Sequence, residues 1–353
     1  MRALIDRSAA VLGRPAALAS VTGFAIGAAG LLLALPAGGA QAVAASLAAS
    51  WLFFAALAAG GVALSAIARV AQGRWADPVA PALESGAAFF PAAFALLVAL
   101  LIAAPLWVPH LGGPSSASWP VLLVRDLTAA GGLFLLGARF ARLSRADRWA
   151  FPTGRAAVIY LVAYAVAISF WTIDLVIGLG TGEPSAIVPA QAFIAALLSA
   201  IAWAALLASA GAVTARLRHD LGKLLFGFSS FWAYFVWCSF LPVWYANLPT
   251  ETGELIDRTS EGWDLVSAAV IGACFLLPFF VLMPERAKKR PTLLGACSTA
   301  VLLGLGAERF LLVLRPLHVA VSMGSVLSVA AMAMGMSGLF VLLVGARLPP
   351  RPT

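Results

Sequence analysis

The stretch KLLFGFSSFWAYFVWCSFLPVWYANLPTET, Lys223 to Thr252, decides how the chain is read. It is long and apolar enough to cross a bilayer, since about 20 apolar residues span roughly 30 Å of hydrocarbon. Hydroxyls, a lysine and a proline interrupt it, so it differs from a plain lipid-facing segment. Lys223, Gly227, Ser230, Tyr234 and Trp237, the last with Cys238 beside it, recur three or four residues apart, which stacks them on one helical face. That face is expected inside a helix bundle. Pro242 removes a backbone donor and is expected to kink the helix near one end. Trp244 and Tyr245 suit the aromatic belt at a membrane surface.

The rest of the chain repeats the pattern. The 353 residues are 62% hydrophobic and 11% charged, with a mean hydropathy of +0.97, far from the roughly 25% charged of a soluble domain. The expected fold is an all-α integral membrane domain filling 1–353. About ten transmembrane helices are expected, near 16–36, 43–67, 86–108, 121–141, 156–179, 190–214, 222–247, 264–284, 292–314 and 320–345. The second to fifth and sixth to ninth spans form two four-helix bundles in this reading, with the first and tenth peripheral. The basic start, Arg2, Arg7 and Arg14, resembles the n-region of a signal peptide, but the long apolar run and the spans that follow make it an uncleaved first span.

Charge sets the orientation. Of the 23 Lys and Arg residues, 19 fall at the two termini and in alternate loops, Arg125 and Arg309 fall within spans, and only Arg258 and Arg315 lie on the opposite side. Cytoplasmic loops retain Lys and Arg, so both termini are expected in the cytoplasm of a multi-pass protein of the bacterial inner membrane. The net charge of +8 is then a topology signal, and its dispersal over short loops gives no nucleic-acid surface. Glu251, Glu254, Asp257, Glu261 and Asp264 gather in the long outer loop, read either as a solvated loop or as a docking surface. With Trp244, Tyr245 and Asn247, residues Glu251, Glu254 and Asp257 are the expected interface with outer partners.

Several chemistries lack their residues. An intramembrane haem pair needs facing histidines; His110, His219 and His318 each lie at or beyond a span end. Cys238, Cys274 and Cys297 are isolated, with no CxxC and no CxxCH, which excludes iron–sulfur and c-type haem ligation on this chain. No metal site is expected, no Walker loop or dinucleotide fingerprint occurs, and no nucleophile–base arrangement suits an intramembrane hydrolase.

Buried charge is where chemistry is expected, because ionisable groups at membrane depth are costly and face protein or water. Arg125 and Asp126 lie in VLLVRDLTAA, Asp174 in ISFWTIDLVIGLG, and Glu308 with Arg309 in LGLGAERFLLVL. Arg125 and Asp126 can alternatively snorkel to the interface. An Asp174–Arg125 pair across spans, and local pairing of Glu308 with an arginine, would offset the cost of burial. Arg125, Asp126, Asp174, Lys223, Ser230, Tyr234, Glu308 and Arg309 are the candidates for a proton path or a quinone pocket. For the Ser230 and Tyr234 face, a hydrogen-bonded helix contact is the alternative.

DLGKLLFGFSSFWAYFVWCSFLPVWYANLPTET, Asp220 to Thr252, resembles the signature helix of the F-type membrane subunit (ActF) of alternative complex III, a quinol:cytochrome c oxidoreductase, within the NrfD-like (polysulfide-reductase-type) membrane subunits. Pro120 to Arg125, SFWTIDLVIGL and FLLPFFVLMPERAKKRPTLL are similar to further stretches of that family, in order from about 105 to 316. Leu175 stands where the family has Trp, Thr250 where it has Glu, and Glu308-Arg309 where an acidic residue is usual. The resemblance implies a cofactor-free subunit, in electron transport and proton translocation, with no catalytic residue of its own or one that only contacts menaquinone or ubiquinone. The implied partners are membrane lipid, a sister NrfD-like subunit, and extracytoplasmic multihaem cytochrome c and iron–sulfur subunits. The competing reading is a stand-alone secondary transporter using Asp174, Glu308 and Arg125.

Overall fold

The computed structural model describes residues 14–108, 117–180, 186–211, 213–246, 263–319 and 323–348, with 6 and 111; the side chains of 14–16 and 31–38 are outside that set. Among the described residues every regular element is helical. The long helices are α1 Arg14–Val70, α2 Ala80–Ile102, α3 Trp119–Ala146, α4 Phe151–Leu175, α5 Ile187–Ala210, α6 Ala215–Ala246, α7 Trp263–Leu282, α8 Pro291–Leu314 and α9 Met323–Gly345. Each is long and apolar enough to cross a membrane, α1 through its Gly39–Val70 half, and Ala17–Gly30 is a shorter apolar stretch of the same helix. The chain is therefore a multi-pass helical membrane protein.

Local chemistry explains where these helices depart from the expected spans. In α1 the break falls at Gly39, whose φ of 75° suits a residue without Cβ. The expected spans 43–67 and 86–108 leave 68–85 between them, yet α2 begins at Ala80 with Pro81 in its first turn and carries Glu84 inside it. Its far end comes earlier than 108, because Pro105 cannot donate to Leu101 and its ring crowds that carbonyl; a separate turn, Ala104–Trp107, follows. At the start of α6 the Thr214 hydroxyl accepts from the Leu217 N–H at 3.2 Å, an N-terminal cap that extends the helix seven residues before the expected 222. The helix then runs through Pro242 to Ala246. In α7 residues Gly272–Leu276 form a π-helical segment just before Pro278, where the ring removes the donor for the Cys274 carbonyl.

Packing follows from small residues. The Gly39–Val70 half of α1, with α2, α3 and α4, forms one four-helix set; α5, α6, α7 and α8 form the other. α1 packs on α5 and α8, and α4 on α5, so the two sets share a seam. At that seam a Cβ on Gly60 would lie 2.5 Å from the Ala196 carbonyl oxygen. α9 lies against α1, with Gly27 on Gly335 and Gly338 on the Ser20 backbone, contacts that leave no room for a Cβ. The first set also packs through aromatics: Trp51 meets Trp171 edge-on at 4.9 Å between centroids, Phe90 stacks on Phe134 at 4.7 Å, and Trp51 Nε1 donates to the Ala93 carbonyl at 2.7 Å.

Candidate functional site

The charged groups inside the helical region form three separate clusters. The first lies at the end of the protein where α3 begins and α4 ends. Arg125 Nε donates to Asp174 Oδ2 at 2.8 Å, and its Nη2 pairs with Oδ1, which makes the pair bidentate. The Asp174 side chain is 1% exposed and that of Arg125 29%; the Arg125 guanidinium also lies over the Phe170 ring at 5.4 Å. Asp126 is fully buried, and neither of its oxygens accepts from an N–H or a hydroxyl. Its polar neighbours are the Asp174 carboxyl and Arg125. Two carboxyls thus lie near one guanidinium, which bonds Asp174 alone.

The second cluster joins α4, α5, α6 and α8. Glu308 Oε1 accepts from Gln191 Nε2 at 3.0 Å and from Trp232 Nε1 at 3.1 Å, while Oε2 accepts from Arg309 Nη2 at 3.1 Å. Adjacent residues on a helix do not normally face one another, so this pair depends on the Arg309 side chain folding back. Arg309 also lies within electrostatic reach of the buried Tyr164 hydroxyl, which has no hydrogen-bond partner. A carboxylate with three donors is well satisfied, so Glu308 is built to remain in place.

The third cluster was not anticipated. Glu84, 2% exposed, accepts through Oε1 from Ser65 Oγ at 2.7 Å, Ser144 Oγ at 2.6 Å and Arg148 Nη1 at 2.8 Å. Arg148 Nε lies 3.0 Å from Asp77 Oδ1 as an ion pair, and its Nη2 donates to the Ser65 carbonyl at 3.1 Å. Arg69 donates to the carbonyls of Arg148, Trp149 and Ala150, and its guanidinium lies over the Trp149 ring at 5.0 Å. These contacts tie α1, α2 and α3 together at the end opposite Asp174. The signal in the sequence was an acidic residue abutting a long apolar run in VAPALESGAAFF.

α4 connects the first and third clusters. Tyr160, Tyr164, Trp171 and Asp174 recur on its buried face; Tyr160 and Tyr164 stack at 6.3 Å, and the Tyr160 hydroxyl donates to the Ala59 carbonyl at 2.8 Å. The structure therefore brings Arg125, Asp126 and Asp174 together, and Glu308 with Arg309, but holds these two groups as distinct sites.

The stripe on α6 is a correction. Lys223, Gly227, Tyr234 and Trp237 are exposed, and Ser230 and Cys238 are half-buried, whereas Leu217, Leu221, Leu225, Ser229 and Trp232 form the buried face. The stripe therefore faces away from the bundle. The reason is that both faces of this helix are rich in large apolar side chains, so packing within the chain selected the one carrying Trp232 and its bond to Glu308. Ser230 Oγ bonds back to the Phe226 carbonyl at 3.0 Å, and Lys223 Nζ to Asp220 Oδ1 at 3.2 Å. No chemical step is assigned to this outward face. Trp244, Tyr245 and Asp264 are exposed; Asn247, Glu251, Glu254, Asp257 and Glu261, like His110, lie outside the described residues.

At the start of α6, His219 and Lys289 both approach Glu285, at 4.0 and 2.6 Å; the Lys289 bond holds that carboxyl below its ordinary range. The three cysteines are free, and among the described residues no group of three His, Cys, Asp or Glu side chains converges as a metal site would. Comparison with known proteins gives no matching protein-family model and no matching curated sequence.

Proposed function

We propose that this chain is a cofactor-free membrane subunit of a quinol-oxidising respiratory complex, and that it conducts protons through its own buried carboxyls. One observation carries the proton role: Asp126 and Asp174 are buried beside a single guanidinium, Arg125. Charge closes there when the two carboxyls share one proton, and the site passes a proton on by exchanging which oxygen holds it. Glu84 offers a second buried carboxyl at the opposite end, with Tyr160 and Tyr164 standing between on α4.

Membership of a complex rests on the resemblance of 220–252 and the stretches around it to alternative complex III subunits. It implies a sister NrfD-like subunit beside this one, and multihaem cytochrome c and iron–sulfur subunits outside the membrane. The finer topology belongs to the same reading: ten spans, with Ala17–Gly30 part of the first, and both termini on the cytoplasmic side of a bacterial inner membrane, as the distribution of Lys and Arg favours. In that orientation Arg125, Asp126 and Asp174 lie at the outer side and Glu84 at the inner side. The outward α6 stripe is then available to the sister subunit.

The competing transporter reading needs Arg125, Asp174 and Glu308 around one substrate cavity. Arg125 and Asp174 pair with each other and Glu308 pairs elsewhere, and a cavity among α1, α7, α8 and α9 has none of the three in its lining. Purification through a tag in mild detergent decides between the readings. The complex reading expects haem absorbance and co-purifying cytochrome and iron–sulfur subunits; a stable, haem-free single chain overturns it.

A further inference from the structure

A cavity of about 390 Å³ lies between α1, α7, α8 and α9, apart from all three charged clusters. Its volume falls within the range of small-molecule sites. On α8 the lining runs from Leu302 to Leu314, and on α9 from Ser325 to Ser337. Twelve residues of helix rise about 18 Å, so the cavity is an elongated slot along the helices. One end is set by helix termini: Trp263 begins α7, Leu314 ends α8 and Ser325 lies near the start of α9. The other end reaches mid-helix, at the depth of the hydrocarbon.

The slot opens sideways. Leu303 and Val326 line it and are 70% and 51% exposed, in helices that cross the membrane, so whatever enters comes from the bilayer. The lining carries no carboxyl, imidazole, tyrosine or amine. A quinone reduced or oxidised there would have no group with which to exchange its protons, and a headgroup charge would have no counter-ion in the lining. Among the described residues two lining groups have no hydrogen-bond partner, the Ser50 hydroxyl and, at the interfacial end, the indole N–H of Trp263, which is 7% exposed. A buried donor left unpaired is costly, and tryptophan at a helix end sits at the depth where lipid ester carbonyls lie.

We infer that this slot holds one acyl chain of a glycerophospholipid, with the Trp263 indole N–H donating to its ester carbonyl and the headgroup outside. The lipid is a structural ligand that fills the gap between α9 and α8, distinct from the proposed proton path.

The test uses the protein in the complex or membrane in which it is purified. After repeated detergent washing, retained lipid is extracted and quantified per chain. In parallel, membranes doped with a phosphatidylethanolamine carrying a photoactivatable acyl chain are irradiated and the labelled peptides mapped. The expected result is about one glycerophospholipid retained, with labels on the peptides containing Leu303, Phe310 and Val326. Trp263→Phe, which keeps the ring and removes the donor, is expected to lower retention about fivefold, and Ala333→Leu, which fills the slot, to abolish both retention and labelling. Absence of retained lipid in the wild-type protein, wild-type retention in both variants, or a quinone in place of the glycerophospholipid would each overturn the assignment.

Discussion

Arg125 grips Asp174 with two nitrogens and leaves Asp126 without a donor, so the two carboxyls at this site have different chemistry. Removing the guanidinium strands Asp174 in a buried position, and Arg125→Ala is expected to cost about 3–5 kcal/mol of stability. Adding Asp174→Ala to that variant should recover part of the loss, because the stranded charge goes with it; a double-mutant cycle by thermal or denaturant unfolding in detergent measures this coupling. Glu84→Gln keeps the shape and acceptor oxygen but cannot hold a proton as a carboxyl does, so under the proposed function the fold is expected to stand while proton transfer through the Glu84 end slows. The Arg125–Asp174 pair was legible in the sequence because charges within apolar runs are few and each requires a partner. Glu84 was not, since its partners Ser65, Ser144 and Arg148 are hydroxyls and a loop cation 19 to 64 residues away, which no local pattern connects.

At the scale of the helix, length and apolarity were enough to find the nine long apolar helices among the described residues, while facing direction was not. A soluble helix reveals its buried face through alternation of apolar and polar residues; in a bilayer the lipid-facing side is equally apolar, and α6 carries Phe, Trp and Tyr all around. The α6 stripe was therefore assigned to the wrong side, and only the bond from Trp232 to Glu308 identifies the inner one. Close approach between helices is set by single glycines. Gly60→Ala would drive a Cβ into the Ala196 carbonyl where the two four-helix sets meet, and it is expected to destabilise by about 1–3 kcal/mol. Gly132→Ala on α3, where a Cβ meets nothing within 4 Å, should be neutral or mildly stabilising through helix propensity. Unfolding midpoints of the two variants, measured side by side, separate crowding from any general effect of replacing glycine.

Across the whole molecule, two four-helix sets share a seam, α9 closes over α1, and buried carboxyls stand at both ends of the set containing α4. Under the proposed function, these two ends are where protons enter and leave. The most direct test is the number of protons released per electron when the purified complex, reconstituted in vesicles, oxidises a soluble quinol analogue, compared between wild type and Asp174→Asn. The account predicts that the variant still assembles and still passes electrons at a measurable rate, with fewer protons released per electron. Unchanged proton release per electron in an assembled Asp174→Asn complex would contradict it.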